Sequence, residues 1–281
     1  MGAAEIEQFL SHLATAADVS ASTHNQAVSA LRFLYRDVLG VAVPRLDALR
    51  AREKQRVPRI VDRATTLRII HALPPAYQPL AGLLYGSGLR LMECVRLRVK
   101  DVDPHPLQVT VRDAKGQTDR ITILPKRLVK PLENQIGYVR QLHKADLARG
   151  FGEVSLPQAL ARQSRNAARA PGWQWLFPAD SLSEDPRAPG VWRRHHISES
   201  SLQKTVRQAV RDAGVAQPVT CHTFRHCFAT HWLEDALSRG ESLMAALEQV
   251  REYLGHAHLR TTMIYLHTLK KPKARSPLDD E

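Results

Sequence analysis

The chain has 281 residues, enough for one or two domains with a proper core. Hydrophobic content of 43% with 24% charged residues is that of a soluble globular protein, and no run of about 18 apolar residues exists to cross a membrane. The 40 Lys and Arg outnumber the 28 Asp and Glu, and the resulting charge of +12 points to a polyanionic partner, nucleic acid above all, while the 3 cysteines make no disulfide framework and fit a reducing compartment.

The N-terminal stretch MGAAEIEQFL is polar and helical, with no signal-peptide core. Ile6, Phe9, Leu10 and Leu13 share one helix face. Thr23 with Gln26 forms a capping-box pattern for a second helix, which carries Leu31, Leu34, Tyr35, Val38 and Leu39 on one face. Two helices bury little core by themselves. They must pack on something else, or part of their domain is absent from the chain. Pro44, Pro58 and a run of Arg and Lys between them read as a linker. The expected organisation is a partial helical domain over 1–44, a basic linker over 45–58 and a larger domain over 59–281.

The larger domain opens with helix through Leu67, Ile70, Leu73 and Leu80 to Tyr85, stopped at Gly86-Ser87-Gly88. A new helix follows at once, placing Arg90 and Glu93 three apart on one face. After Pro106 the period becomes two: Val109 and Val111, then a turn, then Ile121 and Ile123. This predicts a β-hairpin with Lys115 at or near its tip. Helix resumes from Leu128 to Arg149. From Gly150 to His196 the chain is rich in Gly, Pro, Ala and Arg, with Trp173, Trp175, Phe177 and Trp192 interspersed. That segment is either an insertion covering its own small core or a nucleic-acid surface, since Arg and aromatic side chains supply phosphate contacts and stacking platforms. The remainder is helical: Leu202, Val206 and Ala209 form one face, and Leu233 to Tyr253 reads as one long run. The fold class is therefore mostly α with a small antiparallel β-hairpin or sheet.

Between these last helices lies CHTFRHCFATHW, Cys221 to Trp232, dense enough in His and Cys to suggest a metal site. The spacing argues against that. His222 and His226 have a zinc-compatible i, i+4 spacing, but Thr223 stands where a zincin has Glu, and Arg225 lies on the same side of the helix. Cys221 and Cys227 are about 120° apart around a helix and do not converge. A phosphate grip fits better, because His222 and Arg225 at i, i+3 present a hydrogen-bond donor and a forked cation to one point. His195, His226, His231, His258 and His267 read as packing or surface residues.

Together the motifs resemble the tyrosine recombinase (phage integrase) family. GSGLR supplies Arg90, AKGQTDR supplies Lys115, HTFRH supplies His222 and Arg225, LGH supplies His256, and TTMIYLH supplies Tyr265. The order is that of the family, and the match runs from about Ala4 to Leu278. GSGLRLMECVRLRVKDVD, LARGFGEVSLPQALA, GWQWLFP, RRHHISES and RSPLD further resemble integron integrases, whose distinguishing feature is an insertion like the one over 150–196.

The resemblance implies a helical DNA-clamp domain followed by a tyrosine recombinase catalytic domain. Tyr265 would be the nucleophile, with Tyr253 as the other candidate. Arg90 and Arg225 would hold the phosphate, His222 would hydrogen-bond it or serve as base, His256 would be a further donor, Lys115 would protonate the leaving oxygen, and Glu93 would orient Arg90. Trp173, Pro186, Arg193, Arg194, His195 and His196 would contact DNA in the insertion. No metal and no cofactor is implied. The implied partners are a double-stranded platform site and a folded single-stranded cassette site, bound by a homotetramer in the cytoplasm of a bacterium, at the nucleoid. Two departures stand out: the clamp starts at what looks like its second helix, as in an N-terminally truncated member, and the connection over 233–255 is longer than in the family. The second departure predicts a displacement of His256 and Tyr265 from Arg225. An active cassette recombinase, a catalytically impaired DNA-binding remnant and a type IB topoisomerase-like nicking-closing enzyme all remain open.

Overall fold

The computed structural model describes residues 2–41, 51, 58–112, 119–163 and 165–269. Two compact units divide the chain, Met1–Arg56 and Val57–Glu281. In the first, α1 (Ala3–Thr15) and α2 (Ala21–Phe33) pack through Ile6, Leu10 and Val28, with Leu13, Ala27, Leu31 and Tyr35 around them. Ser20, not Thr23, is the N-cap of α2: its hydroxyl accepts from the Thr23 amide at 3.2 Å, so the helix starts earlier than the expected capping box. Beyond Phe33 the chain continues as a π-helical turn, Leu34–Val38. The wider turn rotates the expected apolar face, and Leu34, Val38 and Leu39 are exposed. Most of the expected linker lies outside the described residues.

In the second unit, α3 (Arg63–Ala72), α4 (Gln78–Gly86) and α5 (Leu91–Val95) lead into a three-stranded antiparallel sheet, β1 (Val102–Asp103), β2 (Gln108–Val111) and β3 (Arg120–Ile123), ordered β1-β2-β3. Next come α6 (Lys126–Ala148), a short α7 (Gln158–Gln163) and the hairpin β4 (Ser183–Asp185) and β5 (Ala188–Arg193). The closing elements are α8 (Glu199–Asp212), α9 (Cys221–Ser238), α10 (Leu243–Leu254) and α11 (Leu259–Thr262), then a 3-10 turn, Met263–His267. The unit is thus mostly helical with small antiparallel sheets. No helix among the described residues is long and apolar enough to cross a membrane.

Helix α9 is the central element. Thr220 caps it, and Phe224, Cys227, Phe228, Ala229 and Leu233 are buried on several of its faces. Each buried Leu or Phe contributes roughly 1.5–3 kcal/mol. A helix enclosed on most sides carries no apolar stripe, which is why its sequence shows no clear period. The predicted run from Leu233 to Tyr253 is two helices. The backbone turns through 239–242, and the Ser242 hydroxyl accepts from the Ala245 amide at 3.2 Å to start α10.

Strands β2 and β3 form the expected hairpin, and its register sets which residues face inward. Val109 opposes Thr122 and Val111 opposes Arg120, so the inward face of β3 is Arg120 and Thr122. Ile121 points outward and is 55% exposed. The Thr122 hydroxyl donates to the Ser87 carbonyl at 2.8 Å, tying β3 to the turn that precedes Arg90. Residues 113–118, which include Lys115, lie outside the described residues.

Candidate active site

The site is built around Glu93. As third residue of α5, its carboxylate accepts from the Arg90 amide at 2.8 Å and closes the helix start. It also accepts from Arg90 Nη1 at 2.7 Å, and from Arg120 Nη1 and Nη2 at 2.9 and 2.6 Å. Arg225 Nη1 lies 3.9 Å away. Burial pushes the Glu93 pKa up, but the hydrogen bonds and charge of Arg120, with those of Arg90, outweigh it and hold the group down to about 2. Glu93 is therefore an anion at neutral pH. Three guanidiniums against one carboxylate leave a net of two positive charges in a largely desolvated place.

The three arginines are seated on consecutive carbonyls at the end of α10. Arg120 Nε donates to Tyr253 at 3.0 Å, Arg225 Nη2 to Leu254 at 2.6 Å, and Arg90 Nη2 to Gly255 at 3.4 Å. The unsatisfied carbonyls of a helix C-terminus carry partial negative charge, and cations are stabilised there. Arg225 also donates to the Gly88 carbonyl and is 1% exposed, whereas the Arg90 side chain is 31% exposed. Burial and the Arg90 charge pull the Arg225 pKa down to about 9, which leaves it protonated at neutral pH.

Gly255 makes this seating possible. Its φ of +62° ends α10 in the left-handed region, and an added Cβ would lie 2.7 Å from Arg120 Cδ. Gly255→Ala is expected to lose about 1–2 kcal/mol from the backbone alone. Displacement of Arg120 adds to that, so a thermal melt should show a lowered midpoint, together with weakened anion binding at Arg90.

Tyr265 sits on the 3-10 turn with 1% exposure, and its hydroxyl is 3.0 Å from His226 Nδ1. Burial raises its pKa to about 12 against the opposing charges of Arg225 and Arg90. Thr268 Oγ1 donates to the Tyr265 carbonyl at 2.6 Å and meets Thr230 Oγ1 at 2.7 Å, which fixes the turn onto α9. His256 lies parallel to the Tyr265 ring, 6.4 Å between centroids, and its Nδ1 is 3.0 Å from Thr262 Oγ1. Burial, then Arg225 and Arg90, lowers His256 to about 3 and also lowers His222. These imidazoles are neutral at pH 7, so each has one N–H to donate and one nitrogen to accept. The expected displacement of His256 and Tyr265 is not what the structure has: residues 233–255 form the end of α9, a turn and all of α10, and both residues stand within the electrostatic reach of Arg225.

Arg90, Glu93, His222, Arg225, His256 and Tyr265 thus come together. Two members of the cluster were not expected from the sequence. Arg120 sits where strand alternation puts a polar residue outward, and only the pairing with Val111 reveals that it faces in. His226 was assigned to packing, yet it touches the Tyr265 hydroxyl; the i, i+4 spacing from His222, whose ring is 4.3 Å away, was the available signal. His231 bonds Tyr85, with Nδ1 2.9 Å from the phenol oxygen.

The insertion residues separate into two groups. Trp173, Pro186, His195 and His196 line one cavity of about 380 Å³, together with Trp175 and Arg98. The Arg98 guanidinium lies 3.0 Å from the Trp175 ring centre, and Lys100 Nζ lies 2.9 Å from that of Trp173. Arg193 and Arg194 are turned inward instead. Arg193 pairs with Asp185, and Arg194 is clasped by Asp146 at 2.6 and 2.8 Å and by the carbonyls of Ala179 and Asp180. The bidentate Arg194–Asp146 pair holds the end of the hairpin to α6, and the Arg193–Asp185 pair lies within the hairpin, so both arginines are engaged by carboxylates of the protein itself. Trp175 and Phe177 are buried, Phe177 within the main core, while Trp192 is exposed.

A buried, net-positive cluster of arginines beside neutral histidines and a tyrosine hydroxyl is an arrangement able to hold an anion such as a phosphate next to a phenol oxygen. A family profile described as "Phage integrase family" matches residues 52–271, and one described as "Phage integrase, N-terminal SAM-like domain" matches residues 1–45. The chain is 40% identical to an "Integrase/recombinase" of Escherichia coli over 282 aligned residues, covering 99% of this chain and 81% of the relative, with the same figures for one of Pseudomonas aeruginosa. Among solved structures, the post-cleavage complex of XerH site-specific recombinase with palindromic difH substrate superposes with a TM-score of 0.62 at 17% identity, covering 96% of this chain and 70% of that one. The chain belongs to the phage integrase family, the tyrosine recombinases.

Proposed function

We propose that this chain is a site-specific DNA recombinase in which Tyr265 attacks a phosphodiester, displaces the 5′-oxygen and forms a 3′-phosphotyrosine. The observation that carries this reading is the grouping of the Tyr265 hydroxyl with Arg90 and Arg225, the latter locked by two backbone carbonyls. A phenol with its pKa near 12 is a poor nucleophile in the resting protein. Binding and positioning must supply what its ionisation does not. Arg90 and Arg225 hold the non-bridging oxygens, and their charges lower the cost of forming phenolate. His222 and His256 donate further hydrogen bonds to the phosphate. Glu93 fixes Arg90, and Lys115 protonates the leaving 5′-oxygen.

The same reading assigns the substrate to integron gene cassettes: a double-stranded platform site and a folded single-stranded cassette site, recombined by a homotetramer. Residues 1–44 form part of the DNA clamp, 59–281 the catalytic domain, and 150–196 the segment that holds a base bulging from the folded strand. Support comes from the convergence of Trp173, Pro186, His195 and His196 on one cavity of a size suited to a small ligand. Lys100 covers one face of Trp173, so the base is assigned to the opposite face. Base–aromatic stacking contributes about 1–3 kcal/mol, so Trp173→Ala should weaken binding of a hairpin carrying extrahelical bases about five- to 150-fold. Binding of a fully paired duplex should be unchanged, as measured by fluorescence anisotropy on the two probes.

The direct test of the catalytic reading is incubation with nicked duplexes, selected from a randomised pool by binding to the chain. Release of the short strand past the nick traps the covalent complex. No adduct at any nick position overturns the catalytic assignment and leaves a DNA-binding protein. Relaxation of supercoiled plasmid carrying none of the selected sequence points instead to nicking-closing activity.

A further inference from the structure

Resting on the recombinase reading, we propose that His226 is the group that takes the Tyr265 proton during cleavage and returns it during religation. Its Nδ1 is 3.0 Å from the Tyr265 hydroxyl, within the range from which a general base acts. His256 is differently placed, with its Nδ1 on Thr262 and its ring parallel to the tyrosine at 6.4 Å. His222 lies one helical turn before His226, under the charges of Arg225 and Arg90, where a donor to a phosphate oxygen is needed. Accepting at Nδ1 requires the tautomer of His226 that carries its hydrogen on Nε2.

The step balances. The proton moves from Tyr265 Oη to His226 Nδ1 as the Oη–P bond forms and the P–O5′ bond breaks, and the departing oxygen is protonated separately by Lys115. In religation a 5′-hydroxyl attacks the phosphorus, the P–Oη bond breaks, and His226 gives its proton back to Oη.

The groups facing His226 are His222 and Arg225 on its own helix, Tyr265 on the 3-10 turn and His256 on the loop after α10, with Arg90 beyond His222. Burial, His222 and Arg225 hold the His226 pKa down to about 4, so in the free protein it is neutral and can accept. A phosphodiester bound between Arg90 and Arg225 cancels part of the cationic field. His226 then becomes more basic at the moment a substrate arrives, which couples proton removal to DNA occupancy.

The test uses the full chain and the trapped-adduct assay. An adduct formed by the wild type and lost in Tyr265→Phe establishes Tyr265 as the nucleophile independently of His226. His226→Asn, which keeps a hydrogen-bonding group near Nδ1 without its basicity, and His226→Ala are then compared across pH 6–10. Both should form adduct about 10²–10⁴-fold more slowly than wild type at neutral pH, with DNA affinity unchanged. The deficit should narrow about tenfold per pH unit as hydroxide replaces the missing base. A role in packing alone would give a deficit of constant size across pH. That constant deficit, or cleavage by His226→Asn within threefold of wild type at neutral pH, would overturn the proposal.

Discussion

Tyr265→Phe is expected to abolish the covalent protein–DNA adduct while leaving the fold and the DNA affinity in place. The phenyl ring fills the same space in the cluster of Phe228, Leu254 and their neighbours, so the packing loss is small. One hydrogen bond, to His226, disappears, a stability change of about 0.5–1.5 kcal/mol. What is lost completely is the only oxygen of that ring able to attack phosphorus. Tyr253→Phe is the control: Tyr253 packs edge-on against Trp232, 5.2 Å between centroids, and against Phe228. That variant should form adduct at close to the wild-type rate. Adduct surviving in Tyr265→Phe but absent in Tyr253→Phe would move the nucleophile to the other tyrosine, and electrophoresis in denaturing gels with end-labelled DNA reads the outcome directly.

Glu93→Gln should be the most destabilising single change in the site. The carboxylate faces Arg90, Arg120 and Arg225 together, and removing one partner from a buried charge cluster typically costs about 3–5 kcal/mol because the cations are left uncompensated. The same dependence should appear as acid sensitivity. The folded-state pKa is held at about 2, below its ordinary 4.5, so the stabilisation is complete above the ordinary value and is lost as pH falls toward 2. Denaturant midpoints measured between pH 6 and pH 2 should fall steeply for the wild type and more weakly for Glu93→Gln. Equal slopes for the two proteins would contradict the assignment. Cleavage should fall in Glu93→Gln as well, since Arg90 and Arg225 both lose their shared counter-charge.

How much of this was legible in the sequence differs from element to element. The Arg90–Glu93 pair was legible from its three-residue spacing, although Arg90 is the extended N-cap residue of α5 and meets Glu93 by capping, while the grouping of His222 with Arg225 follows from helix geometry. Strand β3 shows where such reading stops. Alternation groups Ile121 and Ile123 on one face, and apolar residues ordinarily face a core. Here the inward positions belong to Arg120 and Thr122, whose partners, Glu93 and the Ser87 carbonyl, are distant in sequence. A site built from buried charge inverts the ordinary pattern locally, and only tertiary contacts reveal it. Arg193 and Arg194 show another limit, since each is ion-paired within the protein. Arginines among aromatics suggest an open nucleic-acid surface, but Asp185 and Asp146 were available to neutralise them. The break between α9 and α10 was visible in Gly240 and Ser242, yet the helical period on either side concealed it.

The row of carbonyls at Tyr253, Leu254 and Gly255 has a consequence for how the protein can vary. All three arginines take their position from one helix end rather than from the chain that leads to it. Residues added or removed around 239–242 lengthen or shorten a surface loop upstream, and the terminus of α10 stays where the guanidiniums clasp it. A single residue added or removed within the last turn would shift all three attachments at once. A tolerant stretch and an intolerant one therefore lie only a dozen residues apart (about 18 Å of helix).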